Sequence, residues 1–306
     1  MLKLAILLVP LILVLASLEY FSRQIPNDYK LKNKYILENG LQIHTLILGN
    51  SHTMYGLNPA YFNSYTYNLA FLSQSLEYDY KLFDHYQNQL KNTKVIILPI
   101  SYYTLFSTMI SDHNEWMLKY YAIYMQVPTK WNLSYHLEIA SEPLKNCIYK
   151  NYDYYKNDTA TILCSTNGWA KKVGHRKYDS IEKNAADAVK RHSFPFNKDF
   201  QFNITLLDSF IQLAKKKNIH IILVTTPTQK YYADSIVLQS NYKLMQKSLE
   251  SIDATYSNCV YINSLKDSSF LKEDFYDNDH LNENGAKKYS VYLDSILKNI
   301  EVVNPL

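Results

Sequence analysis

Short apolar runs alternate with stretches of helical periodicity along most of this chain, and that alternation restricts its fold more than any other feature. The apolar runs are 43–49, Tyr65 to Ala70, Lys94 to Ser101, His220 to Thr226 and Val260 to Asn263. Between the second and third, Leu76, Tyr80, Phe83, Tyr86 and Leu90 recur at helical spacing. Ile204, Leu207, Ile211 and Ala214 do the same before the fourth run, and Tyr289, Leu293, Ile296 and Ile300 do so near the carboxyl end. A helix between two strands returns the second parallel to the first, so the chain reads as α/β, with a doubly wound, mainly parallel five-stranded sheet. The helical stripes are core faces.

Residues 103–200, after the third strand, are far longer than an ordinary crossover and read as an insertion. The third strand ends at the carboxyl edge of the sheet, so the insertion is expected to cap that edge, either touching a substrate or serving as a structural lid. It carries Trp116, Trp131 and Trp169, tyrosine clusters at Tyr120, Tyr121, Tyr124 and at Tyr152, Tyr154, Tyr155, and the basic pair Arg191-His192. The expected organisation is then 1–22 as a membrane anchor or signal segment, 23–42 as a linker, 43–102 with 201–300 as the α/β domain, and 103–200 as the insertion.

Leu4 to Leu18 is almost uninterrupted apolar, with Lys3 before it and Glu19, Tyr20, Phe21 and Arg23 after it. As a helix it spans roughly 22 Å, and Tyr20 and Phe21 would extend it into the interface of a bilayer core about 30 Å thick. It reads as an uncleaved N-terminal membrane helix, with a cleaved signal peptide as the alternative. Arg23, Lys30, Lys32 and Lys34 after the segment would by themselves hold the body inside. The very short positive tail followed at once by an apolar run has the form of an export signal and places the body outside.

Composition excludes some classes. The 306 residues are 47% hydrophobic, enough for a packed core, and a net charge of +4 with no basic run interleaved with stacking aromatics excludes a nucleic-acid partner. Twenty-nine tyrosines accompany abundant Lys, Asn and Ile, the pattern of AT-rich codons, with carbohydrate-facing aromatics as a second source. Cys147, Cys164 and Cys259 show no metal-ligand spacing, so neither a metal nor a cofactor is expected. Cys259 reads as a buried thiol, and Cys147 and Cys164 flank a polar stretch that an export-dependent disulfide would close.

The chemistry sits at two ends of the chain. Gly49-Asn50-Ser51-His52 closes the first apolar run, and Asp277-Asn278-Asp279-His280 precedes the last helical stripe. A serine hydroxyl needs an imidazole to take its proton and a carboxylate to hold that imidazole, and Ser51, His280 and Asp277 can fill those roles. Gly49 lets the chain turn so that Ser51 stands at the carboxyl edge. Asp277 lies three positions before His280, close enough in one turn or loop to bond one ring nitrogen and leave the other for serine. Gly-Asn-Ser alone is ordinary turn composition and Asp-x-x-His alone is commonplace; their order, one after a strand and one before the terminal helix, is what carries the reading. His52 would orient the turn or face the substrate, and Asp274 and Asp279 read as solvated or helix-capping carboxylates.

These blocks resemble the SGNH/GDSL hydrolase superfamily, whose first block is Gly-Asp-Ser and whose last is Asp-x-x-His. The wording Leu48-Gly49-Asn50-Ser51-His52 with Tyr55-Gly56-Leu57-Asn58-Pro59, and Asp274 to Asn282 with Gly285-Ala286, is similar to the branch found in bacterial surface-polysaccharide O-acetylation and deacetylation. The resemblance implies an SGNH-hydrolase-like, flavodoxin-like sheet and a catalytic triad of Ser51, Asp277 and His280. It also implies an oxyanion hole from the backbone N–H groups of Ser51 and Ser73, although Ser73 stands where the family has glycine. The family's third block has an asparagine after strand three and this chain has none there; Gln74 or Tyr102 would substitute as polar partners of the substrate. The function implied is a serine esterase or O-acyltransferase acting on an acyl ester of a carbohydrate, with acetyl as the acyl group the resemblance favours. It would be a single-pass protein of the bacterial inner membrane with an extracytoplasmic catalytic domain, and in the transfer case a membrane acyltransferase partner would supply the acyl group. The alternative is a catalytically weak binding or assembly subunit of a polysaccharide-modification or export system.

Overall fold

The middle of the first apolar run, Thr45–Ile47, folds as a strand because all three side chains are buried on one face or the other of a sheet, as a parallel strand requires. The computed structural model describes residues 2–160, 162–176, 181–195 and 198–303, with the side chains of 2–7, 181–182 and 299–303 excepted. Along the chain, α1 (Leu2–Gln24) and α2 (Asp28–Asn39) precede β1 (Thr45–Ile47), α3 (Ser51–Gly56), β2 (Thr66–Asn68), α4 (Leu76–Tyr86) and β3 (Val95–Pro99). Then come α5 (Leu118–Tyr124), α6 (Leu133–His136), α7 (Glu138–Ser141), α8 (Leu144–Asn157), α9 (Ile181–Arg191) and α10 (Lys198–Lys216). The order closes with β4 (His220–Thr225), α11 (Lys230–Ile236), α12 (Ser240–Thr255), β5 (Cys259–Asn263) and α13 (Glu283–Val303).

All pairings are parallel and the strand order is β2-β1-β3-β4-β5. The register places Ile47, Val95, Ile97, Ile222 and Val224 on one face, where they meet Tyr289, Leu293 and Leu297 of α13. On the other side α10 packs on α4 and β4, with Phe83 and Phe210 stacked at 5.5 Å between ring centroids. The five expected strands and three expected helical stripes thus lie in these elements, apart from Leu90 just past α4 and Ile300, whose side chain lies outside the described residues.

The chain divides into two compact units, one of residues 39–111 with 164–306 and the other of 1–38 with 112–163. The stretch 103–200, expected as one insertion, is therefore split. In the smaller unit, the Glu19 carboxylate of α1 accepts from the backbone N–H groups of Glu138 at 3.2 Å and Ile139 at 3.0 Å. Lys119, almost fully buried, donates to Glu138 at 3.0 Å, Ser141 at 2.8 Å and Glu142 at 3.1 Å. Burial opposes ionisation of Glu138, but Lys150 and Lys119 outweigh it and hold the carboxyl below its usual range. In the sheet unit, by contrast, residues 164–176 bond to the edge of the sheet, with Asn68 N–H donating to the Asn167 carbonyl at 3.1 Å.

Three further expectations are corrected or bounded here. The supposed linker 23–42 is mostly α2, which forms because Asp28, Lys32 and Ile36 share one buried face with Tyr29. Cys147 and Cys164 are not joined by a disulfide: Cys147 is buried on α8 with its sulfur 3.3 Å from the Ser22 hydroxyl, and Cys164 forms a β-bridge with Ala170. Among the described residues no helix is long and apolar enough to cross a membrane. The expected membrane helix lies in α1, where Leu8, Val9 and Leu11 to Val14 are exposed, and its first residues lie outside those whose side chains are described.

Titration of the denatured, unreduced protein with a thiol reagent should find three free thiols; one would restore the disulfide. Gly49→Ala should cost about 3 kcal/mol in urea unfolding, because a Cβ there would sit 2.0 Å from the Pro99 ring and Gly49 has φ +109°.

Candidate active site

The strand order places β1 at the point where the winding reverses, with β2 on one side and β3 on the other, so the chain segments leaving β1 and β3 diverge and open a crevice. Ser51 follows β1 at the first residue of α3. Its turn is built by Gly49, whose positive φ and lack of a side chain let the backbone pass against Pro99, and by Asn50, whose side chain caps α3 by accepting from the His52 N–H at 3.0 Å. The Thr53 hydroxyl then donates back to the Leu48 carbonyl at 2.7 Å.

The opposing loop is closed by a bridge between Phe275 and Leu281, and within it Tyr276 N–H donates to the His280 carbonyl at 2.9 Å. One oxygen of Asp277 accepts from the backbone N–H groups of His280 at 2.9 Å and Asp279 at 3.3 Å, and also pairs with His280 Nδ1 at 2.9 Å. His280 Nε2 lies 2.8 Å from Ser51 Oγ. The structure thus brings Ser51, His280 and Asp277 into one hydrogen-bonded line.

Several segments hold that loop. Gln229, after β4, donates from its N–H to the Asn278 carbonyl at 2.9 Å and from its amide to the Asp277 carbonyl at 3.1 Å. Asn282, 1% exposed, donates to the carbonyls of Glu273, Phe275 and Gly174 and accepts from the N–H groups of Asn284 and Gly285 at the start of α13. From 164–176, Arg176 N–H donates to the Tyr276 carbonyl at 2.7 Å, and Lys172 sits over the rings of Tyr55 and Tyr276. Trp169 donates from its indole to the Tyr55 carbonyl at 2.7 Å, whereas Trp116 and Trp131 are exposed on the smaller unit.

The residues expected beside the triad fare differently. Ser73 has φ +51°, the left-handed conformation that glycine adopts without penalty and serine adopts at a cost. Gln74 is buried with its amide donating to Asp79 at 2.5 Å; burial pushes the Asp79 carboxyl up to about 7 against the N–H groups of Gln74 and Gly49. Tyr102 is buried and hydrogen-bonded to Ser193. His52 is also buried, its Nδ1 paired with Ser101 Oγ at 2.6 Å and its Nε2 3.4 Å from Asp279. Gln74, Tyr102 and His52 are thus all buried, and each has a polar partner within the protein.

Asp279 is the residue the sequence misplaced. It is neither solvated nor a cap; it is 4% exposed and faces three imidazoles, those of His52, His192 and His280. Burial works against its charge, but His280, His52 and His192 outweigh it and hold the carboxyl far below its usual range. Burial lowers His192 to about 4, only partly offset by Asp279. For His280 burial also disfavours the charged ring, and Asp279 and Asp277 together push it up to about 9. His192 lies just past α9, in the basic pair visible in the sequence, though nothing there signals what it faces. Donor atoms of His52, Asp279 and His280 lie within 4.8 Å of one another, but His280 Nδ1 is engaged by Asp277 and His52 Nδ1 by Ser101, and we assign them no metal.

No known family profile matches the sequence, and no curated protein sequence does. Among solved structures the chain is similar to one described as a proposed platelet activating factor from Streptococcus pneumoniae, at 12% identity and a TM-score of 0.43 over 96% of this chain and 99% of that one. It is also similar to a proposed acylhydrolase from Bacteroides fragilis, at 12% identity and a TM-score of 0.42 over 88% and 95% of the two chains. A GDSL-like lipase from Bacteroides thetaiotaomicron superposes with a TM-score of 0.41 at 12% identity over 90% and 100%. These superpositions are loose, and the fold is read from the strand order itself.

Asn282→Ala should cost about 2–4 kcal/mol in urea unfolding, since it strips buried carbonyls of their donor and α13 of its cap.

Proposed function

We propose that this chain is a serine esterase of the SGNH type. The observation that carries the reading is the line from Ser51 Oγ to His280 Nε2 at 2.8 Å and from His280 Nδ1 to Asp277 at 2.9 Å, built from the two ends of the sequence at the reversal point of the sheet. In this reading Ser51 attacks the acyl carbonyl as His280 takes its proton, and Asp277 keeps the imidazole oriented and stabilises the imidazolium. The proton returns to the leaving alkoxide, and the acyl group passes from Ser51 to water or to a second alcohol. The backbone N–H groups of Ser51 and Ser73 are the proposed oxyanion donors.

A carbohydrate O-acyl ester is the proposed substrate, supported by the wording of the blocks around Ser51 and His280. Attachment to the bacterial inner membrane through α1, with the sheet unit on the extracytoplasmic side, is proposed from the apolar run Leu4 to Leu18 and from the exposure of Leu8 to Leu13. A membrane acyltransferase partner belongs to this reading only if transfer, not hydrolysis, is the reaction.

A fluorophosphonate should label Ser51, and Ser51→Ala should abolish both labelling and turnover of p-nitrophenyl acetate while leaving the unfolding curve near that of the parent. Asp277→Asn should lower kcat by about 10⁴-fold. Because His280 must be neutral to accept the proton, turnover should rise with pH and level off above about 9. A folded protein that resists the label would be a binding or assembly subunit.

A further inference from the structure

The Asp-x-x-His block supplies one carboxylate to His280, yet the imidazole faces two. Asp279 Oδ1 lies 3.6 Å from His280 Nδ1, while its Oδ2 lies 3.4 Å from His52 Nε2 and 3.9 Å from His192 Nε2. The flanking rings are aimed by what holds their other nitrogens: Nδ1 of His52 pairs with Ser101 Oγ at 2.6 Å, and Nδ1 of His192 with the Tyr232 hydroxyl at 2.8 Å. His52 and Tyr55 in turn meet the His280 ring edge to face, with centroids 5.2 and 5.6 Å away. A carboxylate this buried needs compensation, and imidazoles are the groups it faces.

Building on the reading of His280 as the base, we propose that Asp279 is a second positioning carboxylate for that imidazole, itself held by His52 and His192, and that it helps to keep the proton on His280. Asp277 sets the ring's direction through its hydrogen bond; Asp279 adds charge beside the ring without taking the nitrogen from Asp277. The imidazolium formed when Ser51 loses its proton is then stabilised by two carboxylates, at the expense of a higher pH for the neutral base. The other charged and titratable groups around the cluster are Lys172, which disfavours the imidazolium, and Arg191, Tyr103 and Tyr232 near His192. Asp279 favours protonation of His280 through its charge, and Asp277 does so through both its hydrogen bond and its charge.

The test is an NMR titration of the full chain with ¹⁵N-labelled histidine, with the His280 signal assigned by its loss in His280→Gln. In the parent protein His280 should titrate near 9. In Asp279→Asn its midpoint should fall by at least a tenfold change in proton affinity, the acid limb of kcat/KM should move with it, and Asp279→Glu should restore much of the shift. A folded Asp279→Asn with an unmoved His280 midpoint overturns the proposal, even if its melting temperature drops. If Asp279→Asn does not fold, the parent decides: a His280 midpoint at or below the ordinary histidine value of about 6.5 overturns it. The midpoint does not depend on turnover, so failure of fluorophosphonate labelling would sink the esterase reading alone, and an unmoved midpoint would sink this one alone.

Discussion

The close approach of Gly49 to Pro99 is the contact on which the rest of the site depends. β1 and β3 are neighbours in a parallel sheet whose winding reverses between them, so their carboxyl ends must lie side by side before the chain leaves in opposite directions. No side chain fits between the backbone at residue 49 and the Pro99 ring, and the positive φ that Gly49 takes there turns the chain directly into α3. Ser51 is therefore presented by rigid neighbours, the sheet on one side and a capped helix on the other. Ser101, at the matching place after β3, holds His52 and through it the buried carboxylate of Asp279.

The Asp277 to His280 loop is the complementary half. It has no regular secondary structure of its own, and its shape comes from bonds made by other segments: Gln229 after β4, Asn282 at the start of α13, and residues 172–176 along its edge. That division of labour places Ser51 between the sheet and a capped helix and His280 on a loop tied at several points. It also explains why the imidazole meets two carboxylates. Asp277 bends back to cap its own loop, which leaves Asp279, pinned between Asp277 and the chain reversal at His280, to point into the space beneath His52 and His192.

Much of this was legible in the residues. The strands could be placed because runs such as Val95 to Leu98 are apolar on both faces, which is the pattern of a strand buried in a parallel sheet, and α10 and α13 because their stripes keep a period near 3.6. Ser51, Asp277 and His280 could be proposed because each sits in a short block whose local geometry already performs part of the task. Asp279 was misread because burial is not a local property: an aspartate among Asn278, Asp277 and His280 looks solvated until His52 and His192 are placed on it. The partners of Gln74 and Tyr102 were hidden for the same reason, since only the packed structure shows Asp79 and Ser193 beside their polar groups.

Local pattern by itself determined the class of the fold, the strand that carries the serine, and the pairing of Asp277 with His280, because periodicity, turn chemistry and a three-residue spacing act within a few residues of chain. Only the tertiary structure decided what distance in sequence hides. It split the long stretch after β3 between two units, left Cys147 and Cys164 unbridged, made a helix of the supposed linker, and gathered His52, His192 and Asp279 from three separate segments around His280. The physical reason is that a buried charge and its partners are chosen by the low dielectric they share, and which groups share it is known only once the chain has closed on itself.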